Sequence, residues 1–154
     1  MQLQLAADWG KALFLLIFLG CVGWEDLRER LIWNGYIFAG IAGRLILLAV
    51  EESLQSNAVT SFCLSTTFSL LIVGMIYLTG WMINKEAVGI GDIKLLFVMA
   101  CYLPGWELCV ITVTALFILI LCAIRFWRKE EKEYPFASAA FVAYVLYLFF
   151  YWMK

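Results

Sequence analysis

Apolar residues fill six stretches of the chain, and short polar or charged segments separate them. A membrane-spanning helix needs about 20 mostly apolar residues, with a range of about 17–25. We therefore predict six transmembrane helices, which run from about Trp9 to Trp24, Ile32 to Val50, Val59 to Ile83, Ile93 to Leu103, Glu107 to Trp127 and Pro135 to Trp152. The predicted fold class is an all-α, polytopic membrane helical bundle, with residues 1–154 forming a single six-helix membrane domain.

The composition agrees with a membrane protein. Of the 154 residues, 65% are hydrophobic and 15% are charged, and the mean hydropathy is +0.92. An ordinary soluble domain has about 45–50% apolar and about 25% charged residues. These values exclude a disordered chain, a coiled coil and a nucleic-acid-binding module. The formal net charge of -1 also provides no general attraction for polyanions.

Lysine and arginine are concentrated in three predicted loops that lie on one side of a six-span protein. Seven basic residues belong to this side: Arg28, Arg30, Lys85, Arg125, Arg128, Lys129 and Lys132. Only Lys11 and Lys154 lie near the other side. Because cytoplasmic loops carry the excess of basic residues, we predict that these loops are cytoplasmic and that both termini lie outside the plasma (inner) membrane. Within the second helix, Arg44 is expected to extend outward toward Glu51.

The fourth predicted helix is too short to cross a bilayer by itself. Its 11 residues cover about 16 Å at a rise of about 1.5 Å each, roughly half of the hydrocarbon core. If the helix reaches the outer surface at Pro104, the preceding segment Ala87–Asp92 dips into the membrane. Irregular backbone at that depth is tolerated only within protein or beside a water-filled cavity. Gly89 and Gly91 of this segment accept positive φ and allow another backbone to approach closely.

Two aspartates are the strongest candidates for chemistry. The absence of histidine excludes a His-ligated zinc site, Ser-His and Cys-His dyads, and a His-ligated haem. Asp26 closes the first predicted helix and Asp92 opens the fourth, so the topology puts both at one membrane face. Each carboxylate alone has a structural explanation, as a helix-end or loop-capping residue. Together they can serve one water as general acid and general base, and the sequence leaves open which carboxylate has which role.

Three segments resemble motifs of the type IV prepilin peptidases, a family that includes the preflagellin peptidases. Residues 26–34, with the sequence DLRERLIWN, resemble the motif D-x-R-x-x-x-I-P-N. Residues 89–94, with the sequence GIGDIK, resemble the motif G-x-G-D-x-K. Residues 134–139, with the sequence YPFASA, resemble the later segment I-P-F-G-P. The segments occur in the order of the family, and they extend over nearly the whole chain.

The resemblance implies an intramembrane aspartyl endopeptidase in which Asp26 and Asp92 are the catalytic residues and no metal or cofactor takes part. The implied substrate is a prepilin-like protein with a short basic cytoplasmic leader and an apolar helix in the membrane lipid. No nucleic-acid partner and no methyltransferase region are expected. The chain departs from the family pattern at Trp33, where the family has proline, and at Ala137 and Ser138, where it has glycine and proline.

Supporting roles are expected for a further group of residues: Gly89, Gly91, Lys94, Arg28 and Asn34. Lys94 either acts on the neighbouring aspartate and loop or extends to the membrane surface. Arg28 either orients the first aspartate or is only one of the basic residues of the cytoplasmic side. Asn34 either bonds the loop or a substrate carbonyl, or caps the second helix.

Other functions are compatible with parts of the sequence. A small proton-coupled transporter is the main alternative, because paired intramembrane carboxylates also relay protons. Both carboxylates lie at one end of the bundle, however, and no inverted repeat relates the two halves of the chain. A membrane scaffold without activity needs only the apolar composition. A Ser-Lys peptidase would use Lys94, but no serine has an obvious matching position.

Overall fold

The structure of the protein is a computed structural model that describes residues 2–29, 32–54, 57–83, 89–126 and 135–152. These residues form six α-helices and no strand. The helices are α1 (Gln2–Glu29), α2 (Asn34–Leu54), α3 (Ala58–Ile83), α4 (Ile90–Tyr102), α5 (Gly105–Phe126) and α6 (Phe136–Trp152). The predicted all-α class is therefore confirmed, and each predicted span coincides with one helix.

The helix ends differ from the predicted ends by a few residues in most cases. The largest differences are in α1, which has 28 residues: it begins at Gln2 instead of the predicted Trp9 and ends at Glu29 instead of the predicted Trp24. At the start of α4, three more residues are helical than predicted, so that Asp92 lies within the first turn. The predictions followed apolar residues, whereas polar residues at helix ends continue the backbone hydrogen bonding.

Helix α4 occupies the centre of the bundle. It contacts all five other helices, which surround it in the order α1, α2, α3, α5 and α6, with α6 packed against α1. The side chains of Leu95, Val98 and Met99 are fully buried in the core. A short helix surrounded in this way fixes the residues at its start, among them Asp92, between the ends of its neighbours.

Proline determines where α4 ends. Leu103 follows the last helical residue and has an extended backbone, with φ -112° and ψ 136°. The residue before a proline disfavours the helical conformation, and Pro104 comes next in the chain. The Leu103 N–H still donates to the Met99 carbonyl, at 3.0 Å. In turn, the Ser69 hydroxyl of α3 donates to the Leu103 carbonyl, also at 3.0 Å.

A charged cluster joins the helices at the end of the bundle remote from Asp92. The guanidinium of Arg44 donates to both carboxylate oxygens of Glu51, each at 3.2 Å, and to the Cys101 carbonyl at 2.8 Å. Lys11 of α1 lies 3.3 Å from the same Glu51 carboxylate. The predicted contact between Arg44 and Glu51 is confirmed, but Arg44 is only 6% exposed, because Phe62 and the end of α4 cover it.

Two helical segments of the described residues are long and apolar enough to cross a membrane. They are Ala58–Thr79 of α3 and Gly105–Cys122 of α5, and the apolar segment Phe136–Tyr151 of α6 is shorter. Charged residues interrupt α1 and α2, and α4 has only 13 residues. The arrangement of six membrane spans therefore stays a prediction.

Candidate active site

Asp26 lies one turn before the end of α1 and faces the start of α6. Its side chain is buried, with the residue 7% exposed. The backbone N–H of Ala137 donates to the Asp26 carboxylate at 2.9 Å. Ala137 is the second residue of α6, and the first N–H groups of a helix have no partner within the helix. The positive end of the helix dipole adds to this interaction, because negative charge is stabilised near a helix N-terminus.

The sequence explains why α6 begins beside Asp26. Pro135 directly precedes the helix, and its carbonyl accepts the N–H of Ala139 at 3.4 Å. The ring of Phe136 is buried in the core. These two residues set the start of α6, and Tyr134, which precedes them, lies outside the described residues. Sequence reasoning missed the donor itself, because a backbone N–H has no side-chain signature.

Asp92 is the third residue of α4. The backbone N–H of Gly89, the residue before the helix, donates to its carboxylate. A Cβ atom at residue 89 would lie 3.1 Å from an Asp92 carboxylate oxygen, which is closer than nine in ten real contacts of this kind. Glycine at this position thus leaves room for the folded-back aspartate.

The predicted use of positive φ by the two glycines is wrong. Gly89 has an extended backbone with φ -66° and ψ 143°, which any residue can adopt, and Gly91 is part of α4. A Cβ atom at residue 91 would be at an ordinary distance of 3.5 Å from the Ile32 side chain. The membrane dip was predicted for residues 87–92, of which residues 87 and 88 lie outside the described part of the chain.

The two aspartates interact electrostatically. Burial raises the pKa of Asp92 from its ordinary value, and the charge of Asp26 raises it further, to about 6, against the opposing effect of the Gly89 N–H. Asp92 lies outside both of the membrane-length helices and before the predicted span that starts at Ile93. The structure therefore brings together two carboxylates that are 66 positions apart in the sequence.

The remaining predicted residues have different surroundings. Lys94 donates to the side-chain carbonyl of Asn34 at 2.8 Å, so it joins the start of α4 to the start of α2. Arg28 is exposed on the last turn of α1, whereas Asp26 is buried. Residues two apart on a helix do not lie on one face of it. Lys94 and Asn34 contribute to the packing of the site through their hydrogen bond.

A second contact joins α1 to α2 beside the site. The Tyr36 hydroxyl of α2 donates to the carboxylate of Glu25, the neighbour of Asp26, at 3.2 Å. The sequence did not predict this pair, because Glu25 and Tyr36 both lie outside the three motif segments. Within the described ranges, no group of three or more His, Cys, Asp or Glu side chains is arranged to hold a metal ion. The described site contributes two carboxylates, Asp26 and Asp92.

Comparison with known families shows one match, which covers most of the chain. The model of the type IV leader peptidase family matches residues 13–153, a range that contains both aspartates and the start of α6. No curated protein and no solved structure matches the chain significantly.

Proposed function

Because the chain belongs to the type IV leader peptidase family, we propose that it is an aspartyl endopeptidase that removes the basic leader from prepilin-like proteins. The observation that carries the proposal is that Asp26 and Asp92, which are 66 positions apart in the sequence, lie close enough for the charge of Asp26 to raise the pKa of Asp92. A pair of carboxylates whose environments favour different protonation states can supply a general base and a general acid. Membership of the family supports a peptidase in general. The proposal assigns the acid–base chemistry of this peptidase to the two aspartates.

The surroundings of the two carboxylates support a division of roles. Asp26 accepts an N–H at the positive end of α6, so it is the ionised partner and the general base. Asp92 has a pKa raised to about 6 by burial and by the charge of Asp26, so it is the protonated partner and the general acid. The Lys94 ammonium donates a hydrogen bond to the Asn34 side chain, so we assign the role of proton donor to Asp92 and not to Lys94.

The reaction uses one water and regenerates both carboxyl groups. Asp26 takes a proton from the water as the water oxygen bonds to the scissile carbonyl carbon, and Asp92 gives its proton to the carbonyl oxygen. In the tetrahedral intermediate, the C–N bond then breaks and the leaving nitrogen takes the proton from Asp26. A hydroxyl of the intermediate returns its proton to Asp92 as the new carboxyl group forms.

The exterior of the bundle supports a membrane location with six spans. Large apolar side chains are exposed on the outer helices, for example Phe38 of α2, Leu64 of α3 and Val113 of α5, at 73%, 71% and 65%. A water-soluble protein rarely exposes apolar patches of this extent. The excess of basic residues that the sequence puts in the segments after the first, third and fifth helices supports a cytoplasmic position for the site.

Labelling from each side of the membrane tests this orientation. We expect a cysteine at Arg28 to react with an impermeant reagent only from the cytoplasm, and a cysteine at Asp8 only from outside. Both positions are on α1 and are exposed, near its opposite ends. The background reaction of the native cysteines is subtracted with the parent protein. The reverse labelling pattern would contradict the proposed active-site face.

The proposed substrate has a basic leader and an apolar helix. The acidic side chains of Glu25 and Glu29, beside Asp26, attract basic residues of a leader. Three other acidic residues that the sequence offers for this role, Glu130, Glu131 and Glu133, lie outside the described residues. The apolar helix of the substrate would approach through the lipid.

Cleavage by the purified protein is the test of the proposed function. The protein is placed in lipid vesicles with a synthetic prepilin that has a basic leader, a glycine before the cleavage site and an apolar helix. We expect cleavage after the leader, with the same rate in EDTA, because the proposed chemistry needs no metal. Proton flux across the vesicle membrane without any cleavage would instead favour the transporter. Loss of cleavage in EDTA that zinc restores would exclude the carboxylate mechanism.

A further inference from the structure

The start of α6 is attached to α1 by a second hydrogen bond next to Asp26. The Ser138 hydroxyl donates to the backbone carbonyl of Gly23 at 2.7 Å. Ser138 directly follows Ala137, whose N–H donates to the Asp26 carboxylate. Two successive residues of α6 thus bind α1 within one helical turn, at the carbonyl of residue 23 and at the carboxylate of residue 26.

Gly23 allows the two helices to come this close. A Cβ atom at residue 23 would lie 3.2 Å from the Ser138 Cα and 3.4 Å from the Ala137 carbonyl oxygen. Both are backbone atoms, so neither can rotate away as the end of a flexible side chain can. Residues three apart share one face of a helix, so the same face of α1 carries Gly23 and Asp26 toward α6. A larger residue at position 23 must therefore increase the separation of the helices at Asp26.

We propose that Ser138 and Gly23 are positioning residues that hold Asp26 in place opposite Asp92. The proposal rests on the proposed function, since it takes Asp26 to be catalytic. The prepilin peptidase segment that residues 134–139 resemble has proline where this chain has Ser138. Proline has no hydroxyl group and cannot donate this bond. The departure from the family pattern thus gives this chain a contact of its own beside Asp26.

Substitution of Ser138 tests the proposal. Ser138→Ala removes the donor and keeps a residue that favours helix, so the protein is expected to fold. We expect kcat to fall about tenfold or more with KM nearly unchanged, because small displacements of a catalytic group reduce rates strongly. Ser138→Thr retains a hydroxyl group and is expected to restore most of kcat. Gly23→Ala, which separates the helix backbones, is expected to reduce kcat more than Ser138→Ala does.

Ser69→Ala is the matched control. Its hydroxyl also donates to a backbone carbonyl of another helix segment, Leu103, but at the other end of α4, about 16 Å from Asp92 along the helix. We expect a similar loss of thermal stability in both alanine variants, with kcat of Ser69→Ala within about twofold of the parent protein.

An NMR titration of the Asp92 carboxyl group, followed through its carbon signal, distinguishes a positioning role of Ser138 from a contribution to stability alone. A displaced Asp26 raises the pKa of Asp92 less, so the Asp92 midpoint should be lower in Ser138→Ala and unchanged in Ser69→Ala. If Ser138→Ala keeps both the parent kcat and the parent midpoint, the positioning role is wrong. The proposed function would survive that result, provided that Asp26→Asn is inactive. If Asp26→Asn cleaves normally, the proposed function itself fails.

Discussion

Asp26→Asn and Asp92→Asn are each expected to reduce prepilin cleavage by about 10³-fold or more. Asparagine has nearly the size of aspartate but cannot take a proton from water or give one to a carbonyl oxygen. General acid–base catalysis contributes about 10²–10⁴-fold to rates, and groups that act as a unit fail together. The double variant should therefore be scarcely slower than either single variant. Cleavage rates of the purified variants in vesicles measure the effect.

Asp8→Asn is the natural control for these variants, because Asp8 is the other aspartate of the chain. It is exposed and pairs with Lys11 at 2.8 Å, at the end of α1 remote from Asp26. We expect this variant to cleave at the parent rate. An Asp26→Asn or Asp92→Asn protein that is folded and cleaves within tenfold of the parent rate would contradict the assignment of the two catalytic residues.

Cleavage is also expected to depend strongly on pH. Asp92 donates its proton only while protonated, and its pKa is raised to about 6. Below pH 6 most of the free enzyme holds this proton, so kcat/KM is high there. Well above pH 6 the protonated fraction falls about tenfold for each pH unit. We therefore expect kcat/KM to decrease about tenfold between pH 7 and pH 8.

The position of the bend in this profile distinguishes the proposal from its alternatives. An Asp92 with the ordinary value of 3.8 would make kcat/KM fall steadily from about pH 4 upward. A profile that is flat through pH 8 would mean that no carboxylic acid of raised pKa takes part. Among the described residues, the charge of Asp26 raises the pKa of Asp92 and the Gly89 N–H lowers it, so the midpoint of the Asp92 titration itself should be lower in Asp26→Asn.

The sequence predicted the helices, and it singled out the two aspartates as candidates, because both signals are local. Runs of apolar residues mark helices whatever surrounds them, and the segments around Asp26 and Asp92 carry residue types that resemble a known motif. The same apolar runs do not reveal which face of a helix points inward, since a helix that is apolar on all sides has no distinctive stripe. The burial of the Arg44 side chain of α2 against the end of α4 could therefore not be predicted.

Contacts that depend on the backbone could not be predicted either. The N–H that binds Asp26 belongs to Ala137, and any residue except proline would supply it. In the sequence, Ser138 is noticeable only as a departure from the family segment. In the structure, its hydroxyl donates a hydrogen bond to the Gly23 carbonyl of α1. The glycine at position 89 suggested a positive φ angle. In the structure, what matters is that glycine has no side chain, which leaves space for the Asp92 carboxylate.

The central claim is that Asp26 and Asp92 form one site, and the Asp92 titration in the presence and absence of the Asp26 charge tests it most directly. Carboxyl carbons are labelled with ¹³C in aspartate, and the Asp92 signal is assigned by its loss in Asp92→Asn. We predict a midpoint near pH 6 in the parent protein, a clearly lower midpoint in Asp26→Asn, and no change in Asp8→Asn. An Asp92 midpoint that is the same in the parent and in Asp26→Asn would contradict the shared site.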